Sequence, residues 1–552
     1  MDIFRTELQK YNVKDNNERI QVFVPYDQLS DELGMLARYP PERLTLIFVE
    51  TLWKARRRPY HKQKLCLILS NMRHFAIEQA KRGANIHYVT STESYGTVLA
   101  SLCSPENKIY VMRPAERELR ADIAHLVHQG AIQIEEHDGW MSSQQDFRRS
   151  NPKKPWRLDR FYQYMRKKSG VLMENGTPKG GKYSFDSENR EPWKGEPYAA
   201  IPPSFPSNPI KEEVVSFIST TLSYHPGELH PESIPSTKED ASLLWDWAKI
   251  DCMHHFGSFE DAMSTLSTNL FHTRVSALLH LHRLLPKNLV EEVEAMDIPL
   301  NSKEGFIRQV LGWREFVYRV HEETDGFRLG QERAEVPSDG GYAYWRQLQG
   351  DSSSWVSSVG GDGGSLVNEL GYAQPIPPAF WGMTSGLNCL DSVVKNVWDE
   401  SYAHHIPRLM VLANIATLLE IRPQDITAWF WVAFYDAFDW VVEPNVLAMG
   451  TFATGELCTT KPYIAGAGYI HKMSNFCDGC AFSPQKNCPI TNLYWAFLDR
   501  HQEVFQKNFR MKMILASSSK RQKEKKEQDA KIYQKMCAIL AQGGVLTPDS
   551  WG

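Results

Sequence analysis

A chain of 552 residues with a formal net charge of −4 has room for two or three domains. It has no overall positive field to attract nucleic acid, so any DNA binding must come from a local basic patch. No apolar run approaches the roughly 18 residues of a membrane span. Residues 1–19 mix acidic, basic and polar side chains and match neither a secretory signal nor a transit peptide. These features predict a soluble, cytoplasmic, monomeric protein without a membrane partner.

Residues 1–20 read as a polar extension. Short apolar runs then alternate with helical patterns. QVFVP (21–25), LTLIFVE (44–50), IHYV (86–89), KIYVM (108–112) and AIQIEEH (131–137) read as strands, and 60–82, 93–103 and 114–129 as helices. The alternation predicts an α/β domain over 21–140 built on a doubly wound parallel sheet, with ligands beyond the carboxyl ends of its strands. No GxGxxG follows the first strand, which argues against an NAD-type site. Residues 141–240, rich in Pro, Gly, Ser and charge, read as an interdomain linker. Its stretch RRSNPKKPWRLDRFYQYMRKK interleaves cations with aromatics. That pattern suits either a solvated face or a surface where cations meet phosphates and rings stack on bases.

Over 241–515 the apolar spacing is helical and predicts a large all-α domain. A Gly/Ser-rich insert near 338–366 interrupts it and reads as a mobile loop. Residues 516–552 form a charged helical tail with one apolar stripe, which either packs on the body or stands free. The 16 Trp concentrate in this second half, where they serve equally as buried packing or as one-electron relays.

The nine cysteines are unevenly spread. Cys66, Cys103, Cys252, Cys458 and Cys537 stand singly and read as ordinary thiols. CDGCAFSPQKNCP is different. Cys477 and Cys480 form a C-x2-C grip on one metal centre, and Cys488 follows with Pro489 directly after it. Cys389, at a loop-to-helix boundary in SGLNCLDS, is the best remote fourth ligand. The spacing predicts a thiolate metal site and leaves zinc and iron–sulfur open.

At this point the residues carry a resemblance. EGFIRQVLGWREF, NCLDSVV, YAHHIPRLMVLANIATLL, WFWVAFYDAFDWV, EPNVLAMGTFATG, TKPYIAGAGYIHKMSNFCDGC and CPITNLYWAFLDRH resemble the bacterial iron–sulfur photolyase/cryptochrome family, the prokaryotic (6-4) photolyases. The resemblance extends to GGKYSFDSENR, YDQLS and HKQKLCLILSNMRHFA. It leaves out the N-terminal extension, the Gly/Ser insert and the charged tail. It implies an α/β antenna domain, an all-helical FAD-binding domain, and a [4Fe–4S] cluster on Cys389, Cys477, Cys480 and Cys488. The loop between Cys480 and Cys488 is shorter than the family's. The implied activity is lyase repair of UV-damaged DNA, specifically (6-4) photoproducts, by electron transfer from reduced FAD to a flipped dimer.

The resemblance also implies roles for individual residues. His404 and His405 match the proton-delivering pair, with His405 the donor, since imidazole suits proton transfer near neutral pH. Two neighbouring helical residues point roughly 100° apart, so one ring can face the lesion and the other support it. Asp261 and Tyr463 match lesion contacts. Thr273 and Ser276 fall near the FAD phosphates, where a helix N-terminus is apt. Gln309 falls between flavin and lesion, and Asp436 and Asn445 on the flavin ring. Asp186 matches an acidic linker residue associated with Mg2+ near the DNA. Trp381 and Trp429 match electron-relay positions.

Several positions depart from the pattern. Phe430 replaces a tyrosine and cannot form a phenoxyl radical, and Val442 replaces an acid. At the site of the family's antenna, 6,7-dimethyl-8-ribityllumazine, Tyr26 replaces glycine, Lys54 an acid and Tyr60-His61 a doubled His. A side chain at Tyr26 where the family has glycine is able to block that pocket, which leaves open whether the antenna is retained. These departures keep open a second reading, a cryptochrome-type blue-light receptor whose insert and tail signal to a partner.

Overall fold

The computed structural model describes residues 2–11, 19–329, 341–349 and 364–551. Most of the Gly/Ser insert lies outside the described residues. Five strands form one parallel sheet: β1 (Ile20–Phe23), β2 (Leu44–Thr51), β3 (Asn85–Ser91), β4 (Ile109–Met112) and β5 (Ile132–Glu135). Their order is β3-β2-β1-β4-β5. Gln21 of β1 pairs with Thr45 on one side and Ile109 on the other. The order therefore reverses at β1, and a crevice opens beyond Phe23 and Met112. Leu46, Ile47, Phe48 and Val49 are wholly buried, as expected for a strand covered on both faces. The helix Lys62–Lys81 covers one face with a broad apolar surface, and the helix Ile3–Tyr11 packs against it through Phe4 and Leu8.

The stretch 141–240 is no simple linker. It holds the helices Gln144–Ser150, Leu158–Ser169 and Pro209–Thr221. Trp156, Phe161 and Tyr162, three of the four aromatics of its cation-rich stretch, are buried in the core. They cannot stack on bases, whereas Lys153, Lys154, Arg160 and Lys167 remain exposed.

The rest is helical. The sheet domain meets it at Trp140, which stacks on Tyr318 at 3.7 Å between ring centroids while the Arg314 guanidinium lies 4.0 Å from its centre. Burial lowers Arg314 to about 10. Backbone bonds from Leu29 N to Leu281 O and from His61 N to Val432 O, 2.9 and 2.8 Å, knit the same junction. Among the helical runs that widen to π turns are Arg308–Arg314, Pro407–Ala413 and Glu443–Gly450. Such local widenings accompany functional sites, and each of these carries a residue used below. No described helix is long and apolar enough to cross a membrane.

Two expected helices are broken. ITAWFWVAFYDAFDWVV leaves the helix Pro423–Ala433 at Phe434 and resumes at Asp439–Val442. Asp436 therefore sits in a turn. The run through YAHHIPRLM also stops: the helix Asn388–Glu400 ends at Ser401, which has a positive φ of 55°. His404 precedes the next helical residue, His405. The 100° argument for neighbours on one helix thus does not apply. Pro407 suits a helix first turn, where its missing N–H is no loss.

The charged tail packs on the body. Lys523–Ala541 lies along Pro489–Arg500, burying Ile532, Met536 and Leu540. Asp529 joins Arg521 and Asn492 at 2.5 and 2.8 Å, and Arg500 lies 3.6 Å from the centre of the Tyr533 ring.

Candidate active site and metal centre

Three widely separated segments bring the candidate catalytic residues together. Asp261 follows a helical stretch, His404 and His405 open a helix, and Arg308 and Gln309 lie on a π turn. His405 Nε2 stands 3.9 Å from Asp261 Oδ1, and its side chain keeps 41% exposure. His404 is buried and stacks on His272 at 4.0 Å. The ligand nitrogens of His272, His404 and His405 all lie within 4.8 Å of one another. Desolvation pushes all three imidazoles down; Arg308 and Arg408 add to the effect on His405. Burial thus favours the neutral form of each ring. Desolvation and the neighbouring Glu260 raise Asp261 to about 6. Tyr469 OH donates to Asp261 at 3.3 Å, and Arg190 approaches it at 3.6 Å.

Beneath this layer lies an ion network. Glu260 accepts from Arg308 at 3.1 Å, Gln309 at 2.6 Å and Asn189 at 2.7 Å. Asp186 accepts from Arg308 at 3.0 Å and from Arg190. Burial works against the Asp186 charge, but the two guanidiniums win and hold its carboxyl low. Arginines rather than further oxygen donors meet it, so the residues do not fit a Mg2+ cage. Tyr463 is half-buried. Burial and then Asp186 raise its phenol, which places it at the Asp186 side of the pocket.

Asp436 is the best-held member of the expected flavin site. Arg408 binds it through both terminal nitrogens at 2.9 and 3.1 Å, and Ser276 Oγ donates at 2.6 Å. Its backbone carbonyl accepts from His280 Nδ1 at 2.9 Å. Burial alone would raise Asp436, yet Arg408 keeps it low. Ser276 thus serves the Asp436 carboxylate rather than a free helix end. Thr273 is buried, and Asn445 donates to Val441 O at 2.9 Å. Around Thr273, the buried atoms Asn269 Oδ1, His272 Nε2 and His404 Nδ1 have no hydrogen-bond partner. Buried polar atoms are normally paired, so this cluster fits a polar ligand such as FAD.

Of the relay residues, Trp429 is wholly buried and Trp381 nearly so. Trp398 links them, at 4.8 Å from Trp381 and 5.9 Å from Trp429. Phe430 stacks on Phe434 at 5.2 Å, and Arg408 lies 4.1 Å from the centre of Phe434. Val442 is buried in the apolar core.

Cys389, Cys477, Cys480 and Cys488 line one cavity of about 320 Å³, walled by Leu387, Ile470, Phe476, Phe482 and Ile490. Cys389 opens the helix Asn388–Glu400, and Cys488 precedes Pro489–Arg500. Asn388 Nδ2 donates to Phe476 O at 2.7 Å and fastens the loop. Burial raises Cys389, Cys477 to about 11 and Cys488 to about 12, each helped by neighbouring thiols. A cationic centre would offset that cost and stabilise the thiolates. Four thiols around one apolar-walled cavity are a donor set that suits a zinc ion or an iron–sulfur cluster.

The crevice at the sheet's reversal point holds a second pocket of about 570 Å³, lined by Tyr26, Lys54, Tyr60, Lys64, Tyr95, Glu116 and Phe438 among others. Tyr26 narrows it without filling it. Its hydroxyl bonds Glu116 and accepts from Lys54 at 2.9 Å, while Lys54 also pairs with Glu116. The lost acid at Lys54 is thus compensated by Glu116. Aromatic walls and a polar floor fit a flat heteroaromatic ring.

Sequence reasoning missed Arg190, Glu260, His272, Arg408, Tyr469 and Trp398. Glu260 adjoins Asp261 and Arg408 adjoins the His pair, but only the π turns and chain crossings reveal their roles.

Comparison with known proteins accords with this geometry. The model of the deoxyribodipyrimidine photo-lyase-related protein family matches residues 22–233. The (6-4) photolyase of Agrobacterium fabrum is 29% identical over 510 residues, which cover 89% of this chain and 93% of that protein. The uncharacterized protein R855 of Acanthamoeba polyphaga mimivirus is 36% identical over 119 residues, 21% of this chain and 90% of R855. The crystal structure of a class III photolyase from Agrobacterium tumefaciens aligns with a TM-score of 0.52 at 14% identity, covering 95% of this chain and 98% of that one. The Synechocystis cryptochrome aligns with a TM-score of 0.53 at 12% identity, covering 95% and 100%. With a photolyase-type sheet domain, a helical domain and this polar pocket in place, residues 22–233 match the deoxyribodipyrimidine photo-lyase-related protein family and the chain has the photolyase/cryptochrome fold.

Proposed function

We propose that this protein is a light-driven DNA lyase that repairs (6-4) photoproducts with bound FAD. The observation that carries the reading is one pocket in which His405, Asp261, Arg190 and Tyr469 face each other beside the Arg408–Asp436 pair. Reduced FAD, when bound, supplies the photoexcited electron that opens the lesion and takes it back afterwards. Asp436 and Asn445 would hold the ring and Thr273 the phosphate side, with Arg408 and Ser276 fixing the Asp436 carboxylate. Arg190, at the rim with 55% exposure, meets the DNA backbone. His405, the exposed member of its pair, holds the proton given to the migrating oxygen, and Asp261 stabilises the imidazolium. His404, stacked on His272, fixes the ring's position.

Cys389, Cys477, Cys480 and Cys488 would hold a [4Fe–4S] cluster of structural role. It would tie the helix Asn388–Glu400 to the loop before Pro489–Arg500. The Met263 N–Met473 O bond of 2.9 Å and the Asn475–Thr265 contacts carry that order to the Asp261 segment. The crevice pocket would hold 6,7-dimethyl-8-ribityllumazine or a similar flat antenna. UV-damaged DNA is the macromolecular partner, and a cytoplasmic monomer is the working state. Asp186 works through its arginines rather than through Mg2+.

The test is blue-light exposure of chemically reduced protein with (6-4)- and cyclobutane-containing oligonucleotides, followed by chromatography. Intact thymines from the (6-4) substrate, lost in His405→Ala, are the expected result. Flavin photoreduction without any repair would overturn the lyase reading in favour of the photoreceptor. The docked tail argues against the latter, because its apolar stripe is already covered.

A further inference from the structure

Trp381 and Trp429 by themselves leave the relay without a defined outer end. The structure adds a ring at each gap. From the inside outward, Trp429 meets Trp398 edge-on at 5.9 Å, Trp398 stacks on Trp381 at 4.8 Å and 16°, and Trp381 stacks on Trp345 at 5.6 Å and 23°. The indoles of Trp429 and Trp398 both donate to Phe380 O at 2.9 Å. One carbonyl dipole therefore orients two neighbouring rings and favours positive charge on either. Trp345 donates to Tyr224 O at 3.3 Å and is partly exposed. It lies on the short helix Ala343–Gln349, within the Gly/Ser-rich insert that the family resemblance does not cover. At the inner end Trp429 touches Phe430 and Phe434, the latter under Arg408. Neither phenylalanine yields an electron as readily as an indole, so Trp429 is the innermost indole on this line of rings.

We infer that Trp429, Trp398, Trp381 and Trp345 form one electron-transfer chain that reduces the flavin in light and ends at the insert, with Trp345 as its solvent-side terminus. The inference rests on the FAD reading above. One electron leaves Trp429 for the photoexcited oxidised flavin. Trp398 refills Trp429, Trp381 refills Trp398 and Trp345 refills Trp381. One-electron reduction at the flavin is thus matched by one-electron oxidation at Trp345. The indole proton of Trp345 passes to water, and a small thiol in solution returns one electron and one proton, pairs of thiyl radicals closing to a disulfide. Trp398 and Trp345 are the added members; Phe430 removes the tyrosine that would compete with Trp429.

The test uses the full FAD-loaded chain with Trp345→Phe, Trp345→Tyr and Trp398→Phe under blue light with dithiothreitol. Photoreduction yield and the transient indole-radical spectrum are read, together with mass analysis for oxidation on the Trp345 peptide after illumination without thiol. Trp398→Phe and Trp345→Phe are expected to lower the yield roughly tenfold at equal FAD content, with oxidation moving from the Trp345 peptide to Trp381 in Trp345→Phe and stopping at Trp429 in Trp398→Phe. Trp345→Tyr, an oxidisable ring, should restore much of the yield, which a packing role would not predict. Wild-type yield and radical lifetime in both Phe variants overturn the chain. Repair by chemically reduced wild-type protein, which needs no relay, tells that failure from failure of the lyase reading. Loss of flavin photochemistry in the wild type overturns both.

Discussion

Two regions at opposite ends of the segment from Cys389 to Arg408 have contrasting chemistry. At one end four thiols face an apolar void and raise one another's pKa. At the other, His405, Asp261, Glu260, Asp186, Arg190 and Arg308 largely satisfy each other in a half-open pocket. The thiol end has the make-up of a ligand set, as the proposed cluster requires. The charged end is complete without a ligand and is arranged for one that arrives and leaves. A permanent cofactor and a transient substrate thus leave different marks on the same fold. The difference lies in whether the protein's own polar groups can pair.

The largest break expected in this contrast is His405→Ala. It should lower (6-4) repair by chemically reduced protein about 10²–10⁴-fold while iron content and FAD content stay at wild-type levels. Iron lost along with repair would show that the two ends are not separable. Cys389→Ala should do the reverse. Iron and acid-labile sulfide disappear, and unfolding stability falls by about 3–5 kcal/mol on a loop-closure argument. Repair declines only as far as the pocket loosens. An unchanged denaturation midpoint would remove the structural role assigned to the cluster.

Asp261 sharpens the contrast through pH. Its folded pKa of about 6 lies above the ordinary carboxylate value, so the folded state holds its proton more tightly than the unfolded chain does. Stability therefore falls as pH rises through the interval from about 4 to 6, and the full penalty stands above 6. Asp261→Asn should be more stable than wild type by about 1–2 kcal/mol at pH 7.5, with the gain vanishing below pH 4, yet slower in repair. An acid limb in repair near pH 6 should disappear in the same variant. Equal stability at both pH values would refute the burial argument. The smallest effect is expected for Phe430→Tyr, a change of a few-fold in flavin photoreduction with repair by prereduced protein unaltered.

Much of this was legible without coordinates. The strand and helix periods marked all five strands of the sheet, because a buried parallel strand needs an unbroken apolar run. The C-x2-C pair with Cys488 marked a cluster of thiols through spacing alone, because a tight turn can aim two thiols at one point, and the structure brings Cys389 to the same cavity. Other parts were not legible. YAHHIPRLM reads as continuous helix, yet a positive φ at Ser401 restarts the chain just before the His pair. WFWVAFYDAFDWV likewise hides the turn that presents Asp436, since apolar residues line both the helix and the turn.

What the sequence by itself determined is the set of chemical groups: four thiols, a His pair, an aromatic-rich helical half and a parallel sheet without a dinucleotide fingerprint. These follow from residue type and short-range spacing. Only the tertiary structure decided which groups meet. It placed Arg408 on Asp436, Asp261 against His405, Glu116 under Lys54, and Trp398 and Trp345 in line with Trp381. Each pairing except that of Trp398 and Trp381 joins segments from 28 to more than 100 residues apart, and those of Arg408 and His405 depend on a π turn or a helix break. Local periodicity carries no signal for either.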